Sequence, residues 1–108
     1  MSDFFKDVIE VVKLIPQGKV TSYGMIANYL GAKQSSRVVG WALNKVSQNI
    51  EIPAHRVVNR NGLLTGKNNF PTQNFMKDEL QKEGLIIKAD SIVDFKNHLW
   101  DPIKELTI

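Results

Sequence analysis

The sequence TSYGMIANYLGAKQSSRVVGWALNKV, residues 21–46, predicts two short helices joined by a tight turn. Hydroxyl side chains stand where each helix begins, and such side chains can accept a hydrogen bond from the first backbone N–H groups of a helix. The capping candidates are Thr21, Ser22, Ser35 and Ser36. Gly31 ends the first helix, and Arg37 falls in the first turn of the second. This pattern is typical of a helix-turn-helix.

Further elements are predicted on both sides of this stretch. Apolar residues from Phe4 to Ile15 recur at helical spacing, and Pro16 ends that first helix. Residues 52–58 predict a turn that leads into a strand, and a second strand follows the Asn61-Gly62 turn signal. A fourth helix is predicted over residues 72–83. We therefore expect a mainly α fold with a small β hairpin, a winged-helix-like helix-turn-helix DNA-binding domain.

Basic residues are concentrated in the middle of the chain. The 108 residues carry 14 Lys and Arg against 11 Asp and Glu, a net charge of +3. Residues 33–67 contain six of the basic residues, including all three Arg, and one acidic residue. The residues before this segment are balanced in charge and those after it are acidic on balance. This distribution favours a surface that binds a polyanion such as DNA, although a solvated basic surface has the same composition.

The chain contains no cysteine, which excludes disulfides, thiolate zinc sites and any thiol nucleophile. Its two His have no metal-ligand spacing, so we expect neither a metal nor another cofactor. No apolar stretch has the length of a membrane span, and the first residues lack the pattern of a signal peptide. We expect a single domain over residues 1–108, monomeric, in the bacterial cytoplasm or the eukaryotic nucleus.

Three separated motifs occur in order along the chain. They are IPQGKVTSYG at residues 15–24, RVVGWAL at residues 37–43 and IPAHRVV at residues 52–58. Together they resemble the DNA-binding domain of O6-alkylguanine-DNA alkyltransferases, and the last resembles the Pro-Cys-His-Arg-Val active-site motif of that family. The order and spacing of the motifs match the family without gaps. The resemblance runs from about residue 4 to Gly84.

The sequence departs from that family at two positions. Ala54 stands in the place of the alkyl-accepting cysteine, and a methyl side chain has no lone pair to attack an alkyl carbon. Val46 stands where the family usually has the Asn of its active-site hydrogen-bond network. In these departures the chain resembles the alkyltransferase-like proteins, which bind the damaged base without removing the alkyl group. The resemblance therefore implies that the protein is not an enzyme.

The resemblance places the DNA contacts on the predicted helix-turn-helix. Arg37 matches the family's finger, which enters the base stack from the minor groove as the target base flips out, and a planar guanidinium can stack on the neighbouring bases. Tyr23 matches the residue that contacts the phosphate 3′ to the target. Further positions carry small side chains that allow a close approach or polar side chains that can bind phosphates. These are Thr21, Ser22, Gln34, Ser35, Ser36 and Gly40.

A second group of residues is expected to form the lesion pocket. Its members are Tyr23, Pro53, Ala54, Val57 and Lys67. Lys67 matches a position next to the O6 side of the bound guanine, and the alternative is a flexible loop lysine. His55 and Glu83 match the base and the carboxylate of the enzymes. With Ala54 in place of the thiol, we expect these three positions to be vestigial, with His55 and Glu83 kept as hydrogen-bond partners.

Three other side chains are given structural roles. Arg56 is expected to hold the turn of its motif by donating to backbone carbonyls. Trp41 and Trp100 are expected in the core rather than as platforms for base stacking.

Three functions are open on this basis. In the first, the protein binds double-stranded DNA containing O6-alkylguanine, flips the base and passes the lesion to nucleotide-excision-repair proteins. In the second, it is a winged-helix transcription regulator that reads undamaged DNA in the major groove, usually as a dimer. In the third, it is an enzyme with another nucleophile, such as His55. Binding to one duplex with and without a single O6-methylguanine separates the first function from the second.

Overall fold

The computed structural model describes residues 2–31, 36–49 and 51–106. Over these residues the chain forms six α-helices and four strands of two residues each. The helices are α1 (Ser2–Lys13), α2 (Tyr23–Tyr29), α3 (Ser36–Val46), α4 (Phe75–Lys82), α5 (Phe95–His98) and α6 (Pro102–Glu105). The strands are β1 (Thr21–Ser22), β2 (Val57–Val58), β3 (Ile87–Lys88) and β4 (Ser91–Ile92). The predicted fold class, mainly helical with a small hairpin, is confirmed.

The ends of helices α2 and α4 follow the predicted signals. The Ser22 side chain accepts a hydrogen bond from the Met25 backbone N–H at 3.1 Å and so caps α2. Gly31 and Gly84 follow the two helices with φ of 75° and 100°, a conformation that glycine adopts without steric cost. Helix α4 begins three residues later than predicted, because residues 72–74 form turns.

The predicted hairpin between Val57-Val58 and the Leu63 region is wrong. Strand β2 pairs instead with β1, in parallel, with Thr21 opposite Val57 and Ser22 opposite Val58. The local turn does form, because the Asn59 side chain accepts from the backbone N–H groups of Asn61 and Leu63. Both Val side chains are buried, and the chain gains more by joining them to a distant strand than by extending a local ladder.

The hairpin of the fold lies further along the chain, between β3 and β4. Its two turn residues, Ala89 and Asp90, have φ of 50° and 60°. Positive φ at both central positions is the geometry of the two-residue turn that best matches the twist of paired strands. Glycine or asparagine usually marks such a turn, and this one carries neither, so the sequence contained no strong signal for it.

The paired strands β1 and β2 lie between two apolar clusters. The first core consists of residues from α1, α2 and α3 together with Ala54, Val57 and Trp100. The second core contains Val58 and Leu64 with apolar residues of α4 and the β3–β4 hairpin. Successive residues of a strand point to opposite faces, so Val57 enters the first core and Val58 the second. The helix-turn-helix is thereby joined to the segment that carries the IPAHRVV motif.

Candidate nucleic-acid interface

Helix α3 has one buried face and one exposed face. The buried side chains are Val39, Ala42 and Leu43. The exposed residues are Ser36, Arg37, Trp41, Asn44 and Lys45. The helix contains no acidic residue, so its exposed face carries only positive charge. A Cβ placed on Gly40 would meet no atom within 4 Å, which puts this glycine on an open side of the helix.

The two tryptophans have opposite environments. Trp100 is 6% exposed and belongs to the first core, as predicted. Trp41 is 56% exposed, so the prediction that it is a core residue is wrong. Its position explains the difference, because Trp41 follows Arg37 by one helical turn and therefore shares the exposed face of α3.

The small and polar residues predicted to contact DNA differ in their exposure to solvent. Gln34 and Ser35 lie outside the described residues, while Ser36 begins α3 and is exposed. Thr21 and Ser22 are buried. The Thr21 hydroxyl donates to the Met25 sulfur at 3.6 Å, and Ser22 caps α2. In this structure both hydroxyls support α2, and the predicted phosphate contacts stay a prediction.

Tyr23, the first residue of α2, lies between the first core and the loop before Lys67. Its ring packs against the first core, and its hydroxyl hydrogen-bonds with the Thr65 side chain. Burial raises the pKa of the Tyr23 phenol above its usual value, which the Thr65 hydrogen bond only partly offsets. The loop comes so close that a Cβ on Gly66 would lie 2.7 Å from the Tyr23 hydroxyl oxygen. The phenol is therefore neutral and held in place.

The Pro-Ala-His-Arg segment forms two consecutive tight turns. The Ala54 N–H donates to the Ile52 carbonyl at 2.7 Å, and Pro53 between them has φ −78° and ψ 62°, which is an inverse γ-turn. A 3-10 turn over Ala54–Arg56 follows and leads directly into β2. The turns place the methyl group of Ala54 inside, at 5% exposure, and keep His55 and Arg56 partly accessible.

The Glu83 carboxylate joins three parts of the chain. It accepts hydrogen bonds from the Gly18 N–H at 2.8 Å and from the Arg56 guanidinium at 2.8–3.0 Å. His55 Nε2 lies 2.7 Å from Oε2, and since a carboxylate only accepts, Nε2 is the donor. Arg56 also donates to the Ile15 carbonyl at 2.8 Å. The predicted His55–Glu83 hydrogen bond and the predicted carbonyl contact of Arg56 are confirmed.

The charge state of Glu83 follows from these partners. Burial raises the pKa of the carboxyl group, but the hydrogen bonds from Arg56, Gly18 and His55 outweigh burial and hold the pKa below its usual value. Glu83 is therefore ionised and fully engaged as an acceptor. With no thiol anywhere in the chain, the His55–Glu83 pair has no sulfur proton to remove.

The five residues of the predicted lesion pocket are only partly brought together. Ala54 and Val57 share the first core with the Tyr23 ring. Pro53 borders a polar groove of about 480 Å³ that includes the charged groups of the Glu83 network. Lys67 Nζ pairs with Asp90 at 2.6 Å, a partner on the β3–β4 turn that sequence reasoning missed because the two residues are far apart in sequence. The structure thus brings three of the five predicted residues together.

A smaller cavity of about 170 Å³ lies on the other side of His55. Ile52, Phe70 and Phe75 contribute its apolar walls, and Ser47 a polar edge. The Phe70 and Phe75 rings are stacked with centroids 5.3 Å apart, and Ser47 Oγ donates to the Asn69 carbonyl at 2.6 Å. The loop after Lys67 is therefore fixed against α3 and α4.

Residues 2–31, 36–49 and 51–106 contain neither a membrane-spanning helix nor a metal cluster. No helix there is long and apolar enough to cross a membrane. Nor do those residues contain a group of three or more His, Cys, Asp or Glu that could hold a metal ion.

Fold and site together define a mainly helical domain in which the positively charged helix α3 packs through the first core onto the Pro-Ala-His-Arg-Val segment, whose Ala54 is buried. The family model described as "6-O-methylguanine DNA methyltransferase, DNA binding domain" matches residues 3–85. The chain belongs to this family.

Relatives and solved structures agree with this membership. Alkyltransferase-like protein 1 of Schizosaccharomyces pombe is 33% identical over 106 residues, covering 94% of this chain and 98% of the relative. The DNA base-flipping protein of Escherichia coli is 33% identical over 100 residues, covering 91% and 74%. The crystal structure of S. pombe Atl1 with damaged DNA containing O6-carboxymethylguanine superposes with a TM-score of 0.81 at 30% identity, covering 94% and 98%.

Proposed function

We propose that this protein recognises O6-alkylguanine in double-stranded DNA by binding from the minor groove and flipping the base, and that it leaves the alkyl group in place. The proposal is carried by the exposed face of α3, which has Arg37 and no acidic residue. The buried face of the same helix packs in the first core with Ala54, which stands where the enzymes have cysteine. The relatives named alkyltransferase-like protein and DNA base-flipping protein support it.

The shape of α3 suits a minor groove. That groove is about 6 Å wide, so a helix can approach it only along a side with little protruding bulk. Gly40 and Ser36 give α3 such a side next to Arg37. The long Arg37 side chain can then extend beyond the helix surface into the base stack.

Arg37 makes base extrusion energetically reasonable. Flipping a nucleotide costs a few kcal/mol of lost stacking and pairing, and the cost is lower for a base that is already mispaired. An alkyl group on O6 weakens the pairing of guanine with cytosine. A guanidinium that stacks in the vacated space and donates to the unpaired cytosine offsets part of the remaining free-energy cost of flipping.

Tyr23 and Ala54 define what happens to the flipped base. The Tyr23 phenol stays protonated and can donate a hydrogen bond to a phosphate. Ala54 offers only a methyl group, so a base in the pocket meets no nucleophile. Lys67 would reach the O6 side of the base by exchanging its Asp90 partner for the lesion, which is an exchange between two acceptors on the same ammonium group.

The biological consequence is the handover of the lesion. Since the alkyl group stays on the DNA, another activity has to remove it, and we propose that the bound protein recruits nucleotide-excision-repair proteins. We further propose that the protein acts as a monomer, in the bacterial cytoplasm or the eukaryotic nucleus.

The test is equilibrium binding to one fluorescently labelled duplex with guanine or O6-methylguanine at a single position. The expected result is tighter binding to the methylated duplex, by about fivefold or more, since a weakened base pair contributes about 1–3 kcal/mol. Sedimentation of the labelled complex gives its stoichiometry, expected to be one protein per lesion. Equal affinity for both duplexes, or binding as a dimer to an undamaged palindrome, would instead favour a transcription regulator.

A further inference from the structure

Trp41 is a large aromatic side chain that the fold leaves mostly in solvent. It is 56% exposed, whereas Trp100 is 6% exposed and packed in the first core. Burying an aromatic side chain of this size contributes substantially to stability, so an exposed one on the charged face of α3 contributes little to the fold.

The position of Trp41 relative to Arg37 can be read from the helix. Residues advance by about 100° per position, so Gly40 lies about 60° to one side of Arg37 and Trp41 about 40° to the other. Side chains on a helix lean towards its N-terminus, so we expect the indole of Trp41 to extend towards the turn that carries Arg37. Arg37 therefore projects between the side of α3 that has only Gly40 and the side that carries the Trp41 indole.

We propose that Trp41 is a second DNA-contacting residue, whose indole packs against the deoxyribose wall of the minor groove beside the Arg37 insertion. The inference rests on the proposed function and deepens it. If the side of α3 that carries Ser36 and Gly40 faces the floor of the minor groove, Trp41 lies against one wall of that groove. An apolar ring there excludes water from the sugar faces beside the Arg37 insertion. Apolar side chains are also used by other proteins that bind the minor groove.

The surroundings of Trp41 favour DNA over a protein partner. One turn before it is Arg37 and one turn after it is Lys45, whose Nζ lies 5.5 Å from the Phe5 ring centroid. Helix α3 has no acidic residue that would repel phosphates. An aromatic group between two cations matches a ligand that combines negative charge with apolar sugar faces.

Tryptophan emission gives a direct readout, because the chain has only two tryptophans and only Trp41 is exposed. We would titrate the native protein and the Trp41→Phe variant with an unlabelled O6-methylguanine duplex. The difference between the two signals is the Trp41 contribution, and no substitution in the core is needed. On saturation this contribution should be quenched at least twofold and should lose its accessibility to acrylamide, while the Trp100 signal of the variant stays constant.

Affinity supplies the second readout. Trp41→Ala should weaken binding to the methylated duplex about five- to tenfold, the lower part of the range for one aromatic contact, and Trp41→Phe should weaken it less. Ile86→Ala is the matched control, since Ile86 is also exposed, at 59%, but lies outside α3 at the start of the hairpin region. That control should bind like the native protein.

The outcomes separate this inference from the function on which it rests. If a labelled duplex shows saturation but Trp41 keeps its emission and its acrylamide accessibility, Trp41 is not at the interface and the inference is overturned. Native affinity for Trp41→Ala has the same meaning and points to a protein partner for this face. If the native protein itself does not prefer the methylated duplex, the proposed function fails, whatever Trp41 does.

Discussion

At the scale of single residues, Arg37 and Ala54 carry different parts of the proposed activity. Arg37 is exposed on α3 and has the reach and planarity to replace an extruded base. Ala54 is 5% exposed in the first core and removes the only position at which the resemblance would place a nucleophile. In the proposed function, Arg37 allows recognition of the lesion, and Ala54 leaves no thiol to accept the alkyl group.

The Arg37→Ala variant should fold normally, because the side chain is exposed. It should bind the O6-methylguanine duplex more weakly by about 1–3 kcal/mol, the range for losing one stacking contact. A fluorescent reporter base opposite the lesion should also show less flipping. Arg37→Lys is the control for charge: it keeps the cation but loses the planar group, so it should restore electrostatic attraction and little of the flipping. Native flipping in Arg37→Ala would rule out the finger role.

Several residue-level features could be predicted from the sequence and others could not. The His55–Glu83 hydrogen bond could be expected from the family resemblance, in which the two residues match the base and the carboxylate of the enzymes. The exposure of Trp41 could not be predicted from its apolar character, because it depends on which face of α3 carries the residue. The Lys67–Asp90 pair depends on a turn formed far along the chain, which no local pattern indicates.

At the scale of elements, Glu83 at the end of α4 holds the Pro-Ala-His-Arg turns against the segment after α1. Its side chain is only 7% exposed and its Arg56 partner 16%. Removing one member of a buried pair leaves the other charge uncompensated, which is more costly than losing a surface pair. The network therefore stabilises the turns that place Ala54 in the first core, against which the Tyr23 ring packs.

The Glu83→Gln variant should lose about 3 kcal/mol of stability at neutral pH. The folded-state pKa of Glu83 is lowered from the ordinary 4.5, so its stabilisation is complete above that value and is lost as the pH falls through the lower folded-state pKa. Thermal melts of both proteins from about pH 7 to about pH 3 should therefore converge at the acid end. Glu79→Gln is the control on the same helix, since its pair with the exposed Lys82 is worth little. A gap in Tm that is constant with pH would contradict this account of Glu83.

Gly66 tests the contact between the loop and α2. A Cβ at this position would lie 2.7 Å from the Tyr23 hydroxyl, so Gly66→Ala should displace the phenol and cost about 1 kcal/mol. Tyr23→Phe removes the clashing oxygen, so the double variant should be more stable than the sum of the single effects implies. Gly24→Ala, with no atom within 4 Å of the added Cβ, should not be destabilising. Additive effects of Gly66→Ala and Tyr23→Phe in chemical denaturation would contradict the contact.

Element boundaries were predictable where a local signal exists, as at Ser22, Gly31 and Gly84. The parallel β1–β2 pair was not, because its partners come from distant parts of the chain and each strand has only two residues. The local turn after Val58 suggested a hairpin, and burial of both Val side chains between two cores decided otherwise.

At the scale of the whole molecule, the basic middle segment has fewer free charges than its composition suggests. Arg56 is paired with Glu83 and Lys67 with Asp90. Four basic residues of that segment are not engaged in either pair: Lys33, which lies outside the described residues, and Arg37, Lys45 and Arg60. With both pairs intact, this number bounds the ionic contacts that the segment can make with phosphates.

The salt dependence of DNA binding should reflect the number of basic residues that are left outside the two ion pairs. With three or four phosphate contacts, log K should fall against log salt with a slope of roughly −3 to −4, measured on undamaged duplex to isolate the electrostatic part. Removing one such contact, as in Lys45→Ala, should reduce the slope by about one. Lys104→Ala, an exposed lysine on α6, is the control. An affinity that does not change between low and physiological salt would exclude DNA as the ligand of the basic segment.

The central claim is that the protein selects O6-alkylguanine and does not repair it, and one competition experiment addresses both halves. A duplex with a single methyl-labelled O6-methylguanine is mixed with an excess of the same duplex carrying guanine, and the protein-bound fraction is isolated after prolonged incubation. The bound fraction should be enriched in the methylated duplex, and all label should be recovered as O6-methylguanine in DNA, with none on protein. A bound fraction with the input composition, or label transferred to the protein, would contradict the central claim.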